Sequence, residues 1–220
     1  MKFEKPIAAN LESERDVEDK LLYPLLVGDT PSGLGINPSQ VRGQKNLRSF
    51  VIGKGSDQKS YIPDYVVVHG SLPVMVAEGK KPGADILGAF REARLYASEL
   101  NALHPSGLNP VTRVLATDGN RLVAGWHDQA NPVLDLPFDE IDPYSTKMSE
   151  LVNLFGAETL NRYYLSLLPH FKPVRYWKPV KLVGGLSKQK EQLPINSFAT
   201  TITADFGHLF NPQLGRNDDT

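Results

Sequence analysis

Apolar residues recur along the chain with two different periods, one helical and one extended. Residues 13–26, SERDVEDKLLYPLL, repeat an apolar residue every four positions, which predicts a helix with one apolar face. Ser13 is expected to cap this helix, because its hydroxyl can accept from free N–H groups and the acids that follow suit the helix dipole. Pro24 is expected to kink or end the regular helix. The apolar repeat consists of Val17, Leu21 and Leu25.

Two Val-rich segments predict neighbouring strands at the centre of the fold. Residues 60–70, SYIPDYVVVHG, and residues 72–81, LPVMVAEGKK, flank a short turn, which is the pattern of a β-hairpin. Both segments are apolar almost throughout instead of alternating. We therefore expect a sheet that is covered on both faces.

Further helices and strands follow the hairpin in an order typical of α/β proteins. Residues 84–103 have the clearest helical period, residues 110–119 and 121–128 predict strands, and an acidic loop at 135–145 precedes two short helices that break near Gly156. The order α-β-β-β-α-β-β-α predicts an α/β domain with a mixed central sheet flanked by helices. The apolar stripe of the central helix contains Ile86, Ala89, Phe90, Ala93, Tyr96, Ala97 and Leu100.

The predicted elements divide the chain into three parts. Residues 1–130 would form the core, residues 131–170 a helical extension packed on it, and residues 171–220 a basic linker and C-terminal tail that is partly helical and partly extended. Residues 172–190 hold six Lys or Arg and no acid, so this strip could contact phosphates although the net charge of the chain is −1.

Composition restricts the chemistry that is available. Apolar residues make up 40% and charged residues 22% of the 220 residues, as in ordinary globular proteins. The chain has no Cys, which excludes disulfides and thiolate metal sites, and its five His do not have metal spacing. No signal segment and no run of about 18 apolar residues is present, so we expect a cytoplasmic protein without membrane contact.

An unusual group of charges stands at the ends of the predicted hairpin. If Asp64 begins one strand and Glu78 ends the next, antiparallel pairing places them side by side, since neighbouring strands are roughly 4.8 Å apart. Lys80 lies two residues beyond Glu78 and should point to the same face. Two adjacent carboxylates repel unless a cation lies between them, and Mg²⁺ prefers such oxygen ligands.

This geometry predicts a hydrolytic metal site. Asp64, Glu78 and the unobstructed carbonyl of Gly79 would hold Mg²⁺, with Mn²⁺ able to substitute, and Lys80 would orient or deprotonate an attacking water. The chemistry would suit hydrolysis of a nucleic-acid backbone. The alternative is a surface ion pair at a strand end, which is the commoner origin of an isolated Glu-x-Lys.

The motif Pro63-Asp64 followed by Glu78-Gly79-Lys80 resembles that of the PD-(D/E)xK nuclease superfamily. The wider chain is similar to the N-terminal nuclease domain of the type I restriction endonuclease R subunit, over about residues 11 to 127 and in continuous order. The matching stretches are SERDVEDKLLYPLL, IPDYVVVHGSLPVMVAEGKKPG, AFREARLYASEL and VTRVLATDGNRLVAGW.

The resemblance implies a PD-(D/E)xK core and catalytic roles for Asp64, Glu78 and Lys80. It also implies that Glu14 is an auxiliary metal ligand or water-holder, a role that Glu18, one turn further on, could take instead. The chain departs from the family at one position. The family usually has Gln four residues before Tyr in the helix after the hairpin, where this chain has Glu92 and Tyr96; the acid could ligate metal or repel phosphate.

The function implied is a Mg²⁺-dependent endonuclease that cuts double-stranded DNA in defence against foreign DNA. Lys45, Arg48 and Lys81 are candidate contacts for the DNA backbone. Because the chain holds no P-loop motif, motor and specificity domains or subunits would be separate, and we expect a fragment of a longer protein or a stand-alone relative. The alternative is a catalytically silent nuclease-like domain that binds nucleic acid or a partner protein. An RNA target also remains open.

Overall fold

A computed structural model describes most of the chain. Its side chains are described for residues 2–44, 62–70, 72–105 and 107–170, and the backbone alone for the strands at 50–54, 57–61, 176–181 and 188–193. The strands are β1 (Val41–Gly43), β2 (Phe50–Lys54), β3 (Asp57–Tyr61), β4 (Tyr65–His69), β5 (Leu72–Gly79), β6 (Arg113–Thr117), β7 (Arg121–Trp126), β8 (Leu134–Pro137), β9 (Tyr176–Lys181) and β10 (Lys188–Leu193).

The described helices comprise one at the N-terminus, one after the hairpin and two near residue 156. They are α1 (Glu14–Asp16), a π-helical segment (Val17–Leu22), α2 (Tyr23–Val27), α3 (Ile86–Ala102), α4 (Thr146–Phe155) and α5 (Ala157–Leu167). Short 3-10 turns cover Ala8–Asn10, Pro38–Gln40, Phe138–Glu140 and Leu168–His170.

A six-stranded mixed sheet in the order β1-β4-β5-β6-β7-β8 lies at the centre. Only β5 and β6 are parallel among its pairs, and α3 connects them as a crossover helix. β2 pairs with β3, and β9 with β10, as two separate antiparallel ribbons. The predicted α/β class with a mixed sheet is confirmed.

Helices cover both faces of this sheet, as the apolar strands predicted. Phe90 and Tyr96 of α3 pack with Val76 and Val114 on one face. Leu21 and Leu25 of the N-terminal helix pack with Val67 on the other face, together with apolar residues of α4 and α5. All eight residues of β5 are buried, because neither face of this central strand reaches solvent.

The predicted hairpin is confirmed with its register. β4 and β5 are antiparallel, with Tyr65 opposite Ala77 and Val67 opposite Met75. A bulge follows Val67, and Gly70 begins the turn at φ +67°, a left-handed conformation that glycine adopts without strain. The register places Asp64 and Glu78 opposite each other, one residue beyond the Tyr65–Ala77 pair.

The N-terminal helix begins as predicted and ends at Val27, close to the end of the predicted segment. The Ser13 hydroxyl accepts from the Asp16 N–H, and the Asp16 carboxylate accepts from the Ser13 N–H, which forms a capping box. Pro24 does not end the helix, which runs on to Val27. The preceding π-helical segment, in which the Tyr23 N–H donates to Glu18 O five residues back, widens the turn where the proline ring must fit.

The acidic loop predicted at 135–145 is partly wrong, since β8 occupies its start. Leu134 and Leu136 are buried while Asp135 between them ion-pairs with Arg121 of β7. Four residues are too few to show a strand period in the sequence, and pairing with β7 decides the conformation. The break between the last two helices is confirmed at Gly156, whose extended backbone separates α4 from α5.

Residues 131–170 extend the same core. Ile141, Met148, Leu151 and Phe155 are buried in the cluster that contains the N-terminal helix. Of the predicted linker and tail at 171–220, the structure describes only the backbone of β9 and β10, and all side chains after His170 lie outside the described residues. Across the described segments, we find no helix whose length and apolarity would suffice to cross a membrane.

The contribution of the capping box to the stability of the helix that carries Glu14 and Glu18 can be tested. Ser13→Ala removes the side-chain acceptor for the Asp16 N–H and should lower the free energy of unfolding by about 1 kcal/mol. Urea unfolding followed by circular dichroism measures this change. Ser98→Ala is the control, because that serine lies within α3, where alanine is the better helix former. Equal stability of the two variants would contradict the capping role.

Candidate metal and active site

Three neighbouring strands meet at the carboxylate of Asp64. β1 and β5 both run antiparallel to β4, and Gln44, Asp64 and Glu78 each lie one residue outside the paired segments. The Gln44 amide donates to Asp64 Oδ1 at 2.6 Å, and the Gly79 N–H donates to Asp64 Oδ2 at 2.7 Å. The Asp64 N–H in turn points to Glu78 Oε2 at 3.4 Å. Strand pairing thus holds this carboxylate by both of its oxygens.

Asp64 and Glu78 are buried beside each other, with exposures of 3% and 2%. Burial raises the pKa of Asp64, and the two hydrogen bonds from Gly79 and Gln44 oppose this rise. Burial and then the neighbouring charge of Asp64 raise the pKa of Glu78 to about 8. The pair therefore carries a charge that the protein interior disfavours, and either protons or a cation must balance it.

The N-terminal helix adds two carboxylates to this pair. Glu14, Glu18 and Asp64 each offer an oxygen, and these oxygens lie within 4.8 Å of one another, so the three residues could hold a metal ion. Glu18 is buried and Glu14 is exposed. Burial, followed by the charge of Asp64, raises the pKa of Glu18 to about 7.

Glycine at position 79 allows the helix to come this close. A Cβ there would lie 3.1 Å from Glu18 Cγ and 3.6 Å from Leu22 Cδ2. The residue between Glu78 and Lys80 must therefore be small for the helix carboxylate to reach Asp64. The sequence suggested Gly79 for its accessible carbonyl, whereas the structure adds this steric role.

Lys80 lies between two acidic side chains. Its Nζ is 2.9 Å from Glu78 Oε1 and 3.1 Å from Glu92 Oε2. Its backbone N–H donates to Thr117 O at 2.8 Å, which continues the parallel pairing of β5 with β6. Burial lowers the pKa of Lys80, but the two carboxylates outweigh it and raise the pKa above its usual value. The ammonium therefore keeps its proton at neutral pH.

A second side chain of α3 contacts the carboxylate of Glu92. The Tyr96 hydroxyl, one turn along the same helix, donates to Glu92 Oε1 at 2.9 Å. Tyr96 is only 2% exposed. Burial, and then the charge of Glu78, raises the pKa of Tyr96 above its usual value, so that the hydroxyl remains a donor.

The loop after Lys80 is tied to the turn between β6 and β7. Asp118 Oδ1 accepts from the N–H groups of Asn120 and Arg121 at 3.0 and 2.9 Å, and Oδ2 accepts from the Gly83 N–H at 3.1 Å. Gly83 has φ +80°, which favours glycine. Asp118 therefore joins the two loops through its carboxylate.

The structure brings most of the predicted site residues together but divides them into two groups. One group is the oxygen cluster around Asp64, and the other is the chain of contacts that runs from Glu78 through Lys80 and Glu92 to Tyr96. The helix supplies Glu14 and Glu18 together, although the sequence had left them as alternatives.

Of the predicted DNA-binding residues, the structure describes Lys81. Lys81 is exposed beside the site, while Lys45 and Arg48 lie outside the described residues. Sequence reasoning missed Gln44, which contacts Asp64 directly. Nothing in the pattern around an isolated Gln marks it, and only the pairing of β1 with β4 reveals its place.

The donor set fits a hard divalent cation. The atoms that converge on Asp64 from other acidic side chains are carboxylate oxygens, which Mg²⁺, Mn²⁺ and Ca²⁺ prefer, and the chain has no Cys to attract a softer ion. Burial, and then repulsion from Asp64, raises the pKa values of Glu18 and Glu78, and a bound cation would favour their charged forms.

Comparisons of the chain with protein-family models, with curated proteins and with solved structures found no match. The likeness to the type I restriction nuclease domain therefore stays a prediction that rests on the sequence motifs.

The close approach at Gly79 can be tested by adding one methyl group. Gly79→Ala should press on Glu18 and Leu22, lower the free energy of unfolding by about 1–2 kcal/mol and reduce the rise in melting temperature that Mn²⁺ produces. Thermal unfolding with and without Mn²⁺ measures both effects. Gly43→Ala is the matched control, since its Cβ would meet its nearest neighbour at an ordinary 3.6 Å. Identical behaviour of the two variants would contradict the steric role.

The raised pKa of the buried Glu78 predicts how the stability of the protein depends on pH when no divalent cation is present. Its pKa rises from 4.5 to about 8 on folding, so its contribution to stability is fully present below pH 4.5 and is lost as pH rises through about 8. Glu78→Gln should therefore flatten the fall in urea midpoint across this window. Glu158→Gln, at a side chain that is 88% exposed, should leave the slope unchanged. A wild-type slope in Glu78→Gln would show that Glu78 ionises normally.

Proposed function

We propose that this chain is a metal-dependent endonuclease domain with a PD-(D/E)xK core, which hydrolyses phosphodiester bonds of double-stranded DNA. The observation that carries the proposal is the adjacency of Asp64 and Glu78, with the Lys80 ammonium 2.9 Å from Glu78 and the acids of the N-terminal helix beside Asp64. Buried carboxylates of raised pKa next to a lysine suit a reaction on a phosphate group that needs a cation.

The residues that would hold the cation are centred on Asp64. Glu18 and Glu14 approach it from the helix and form the oxygen cluster with it. Glu78, which lies beside Asp64, and the Gly79 carbonyl are the further ligands that the sequence motif suggests. Mg²⁺ is the expected ion, with Mn²⁺ able to replace it. When bound, such a cation polarises a phosphodiester and makes a coordinated water more acidic.

The sequence left two roles open for Lys80, orienting an attacking water or deprotonating it, and the environment of the ammonium favours the first. An ammonium whose pKa is raised by two carboxylates is a poor base at neutral pH. It can still donate hydrogen bonds to an attacking water and stabilise negative charge that develops on the phosphate. We therefore assign Lys80 to orientation and charge stabilisation instead of proton removal.

The wider proposal follows the resemblance to the type I restriction R subunit. Lys45, Arg48 and Lys81 would contact the DNA backbone, and motor and specificity domains or subunits would deliver the DNA. The biological role would be the cutting of foreign DNA in the cytoplasm. These parts rest on the sequence motifs and not on the geometry of the site.

One observation favours a second candidate, a silent nuclease-like domain that binds nucleic acid or a partner protein. Lys80 is balanced by Glu92 as well as by Glu78, so less positive charge is left for a phosphate than one carboxylate would leave. The buried pair of Asp64 and Glu78 argues for the enzyme, because burying two adjacent carboxyl groups is costly and the contacts around them reveal no structural benefit.

Cleavage of supercoiled plasmid DNA with Mg²⁺ or Mn²⁺ tests the proposal. Asp64→Asn and Lys80→Ala should each lower the cleavage rate by about 100-fold or more, because one removes a proposed ligand and the other the stabilising charge. Lys147→Ala is the control, since Lys147 belongs to α4 and pairs with Glu140, and neither residue is part of the proposed site. Gel electrophoresis over time gives the rates.

Two outcomes would contradict this function. The enzymatic proposal fails if the wild type cuts no faster than Asp64→Asn at high protein concentration. If the chain is part of a longer protein, the same comparison is made in that longer protein. If the wild type then retards DNA in a gel shift equally with both variants, the silent binding domain is the better description.

A further inference from the structure

Lys80 needs an external constraint to keep its ammonium in one place. A lysine side chain has four carbons that rotate freely, and Lys80 follows the last residue of β5. Its side chain is 23% exposed, so packing alone does not enclose it. Glu78 offers one contact at 2.9 Å, and a single contact leaves the ammonium free to rotate about that oxygen.

Glu92 provides the second contact from a different element. Its Oε2 is 3.1 Å from Lys80 Nζ, and it belongs to α3 and not to the hairpin. Its other oxygen accepts from Tyr96, whose ring is buried in the core between α3 and the sheet. The carboxylate is thus attached at one end to a rigid, buried side chain and at the other end to the ammonium.

From these contacts we infer that Glu92, held by Tyr96, is a positioning residue that fixes the Lys80 ammonium against Glu78. The inference rests on the proposed nuclease function for its effect on rate, but not for its effect on the side chain of Lys80. A charged acceptor forms a stronger hydrogen bond with an ammonium than an amide does, so an acid at this position holds Lys80 more firmly than Gln would.

The same contacts argue against the two other roles considered for an acid at position 92. Glu92 is not among the carboxylates whose oxygens converge near Asp64 in the described part of the chain, so a ligand role has no geometric support. Both of its oxygens already have partners in Lys80 and Tyr96, so its charge is directed at the lysine. Repulsion of phosphate is correspondingly weakened.

Four variants separate positioning from simple structural support. Glu92→Ala removes both contacts, Tyr96→Phe removes only the hydroxyl that holds Glu92, and Glu92→Gln keeps an acceptor for Lys80 without the charge. Glu99→Gln is the control, because it removes the same charge two turns along the same helix. Thermal unfolding of each variant shows whether the fold is kept.

The effect on rate should fall on kcat. Glu92→Ala should lower kcat for DNA cleavage by about 10–100-fold with KM unchanged, since a misplaced group costs transition-state stabilisation and not binding. Tyr96→Phe should show a smaller loss in the same direction. Glu92→Gln should recover part of the kcat that Glu92→Ala loses, and Glu99→Gln should match the wild type.

A readout that does not need activity is the side-chain ammonium of Lys80 in ¹⁵N NMR. In the wild type this group should give a slowly exchanging, ordered signal, assigned by its absence in Lys80→Arg. Glu92→Ala should lose the order of that signal, and Glu99→Gln should keep it. If the wild type does not cut DNA, the nuclease proposal fails while this measurement still decides the positioning role.

Specific results would overturn the inference. One is an equally ordered Lys80 signal in the wild type and Glu92→Ala. Another is a kcat for Glu92→Ala equal to that of the wild type when the wild type is active. A third is loss of Mn²⁺ binding in Glu92→Ala while Lys80 stays ordered, which would make Glu92 a metal ligand.

Discussion

The burial of two carboxylates side by side, Asp64 and Glu78, is the constraint on which the rest of the site depends. Like charges in the protein interior are costly, and each remaining contact reduces that cost. The Gly79 N–H and the Gln44 amide satisfy Asp64, and Lys80 satisfies Glu78. These partners belong to the ends of β1 and β5, the two neighbours of β4, so the sheet must pair in one register before the charges can be tolerated.

Each element around Asp64 and Glu78 supplies either a side chain that contacts the site or the space for one. The π-helical segment contains Glu18, and Gly79 leaves the space in which that side chain approaches Asp64. Helix α3 supplies Glu92, which contacts Lys80, and Tyr96, which donates to Glu92. The carboxylates around Asp64 and the ammonium of Lys80 therefore meet at Glu78, which lies beside Asp64 and pairs with Lys80.

Much of the fold was predictable because it depends on local periods and on burial. The Val-rich hairpin, the amphipathic α3 and the Ser13 cap all follow from patterns within a few residues. The short strand β8 was missed, and so was the π-helical segment that precedes Pro24. In both cases a long-range contact or a widened turn overrides the local preference, and neither leaves a signal within the segment itself.

The sequence by itself determined which chemistry is possible: carboxylates and a lysine at the ends of an apolar hairpin, and no thiol. It could do so because the two strands of a hairpin are close in sequence and the residue types are read directly from it. Only the tertiary structure decided that Glu14 and Glu18 approach Asp64 together, that Gln44 donates to it, and that Glu92 holds Lys80. These contacts join residues of different elements, and their distances depend on how helices pack on the sheet, which no period in the sequence encodes.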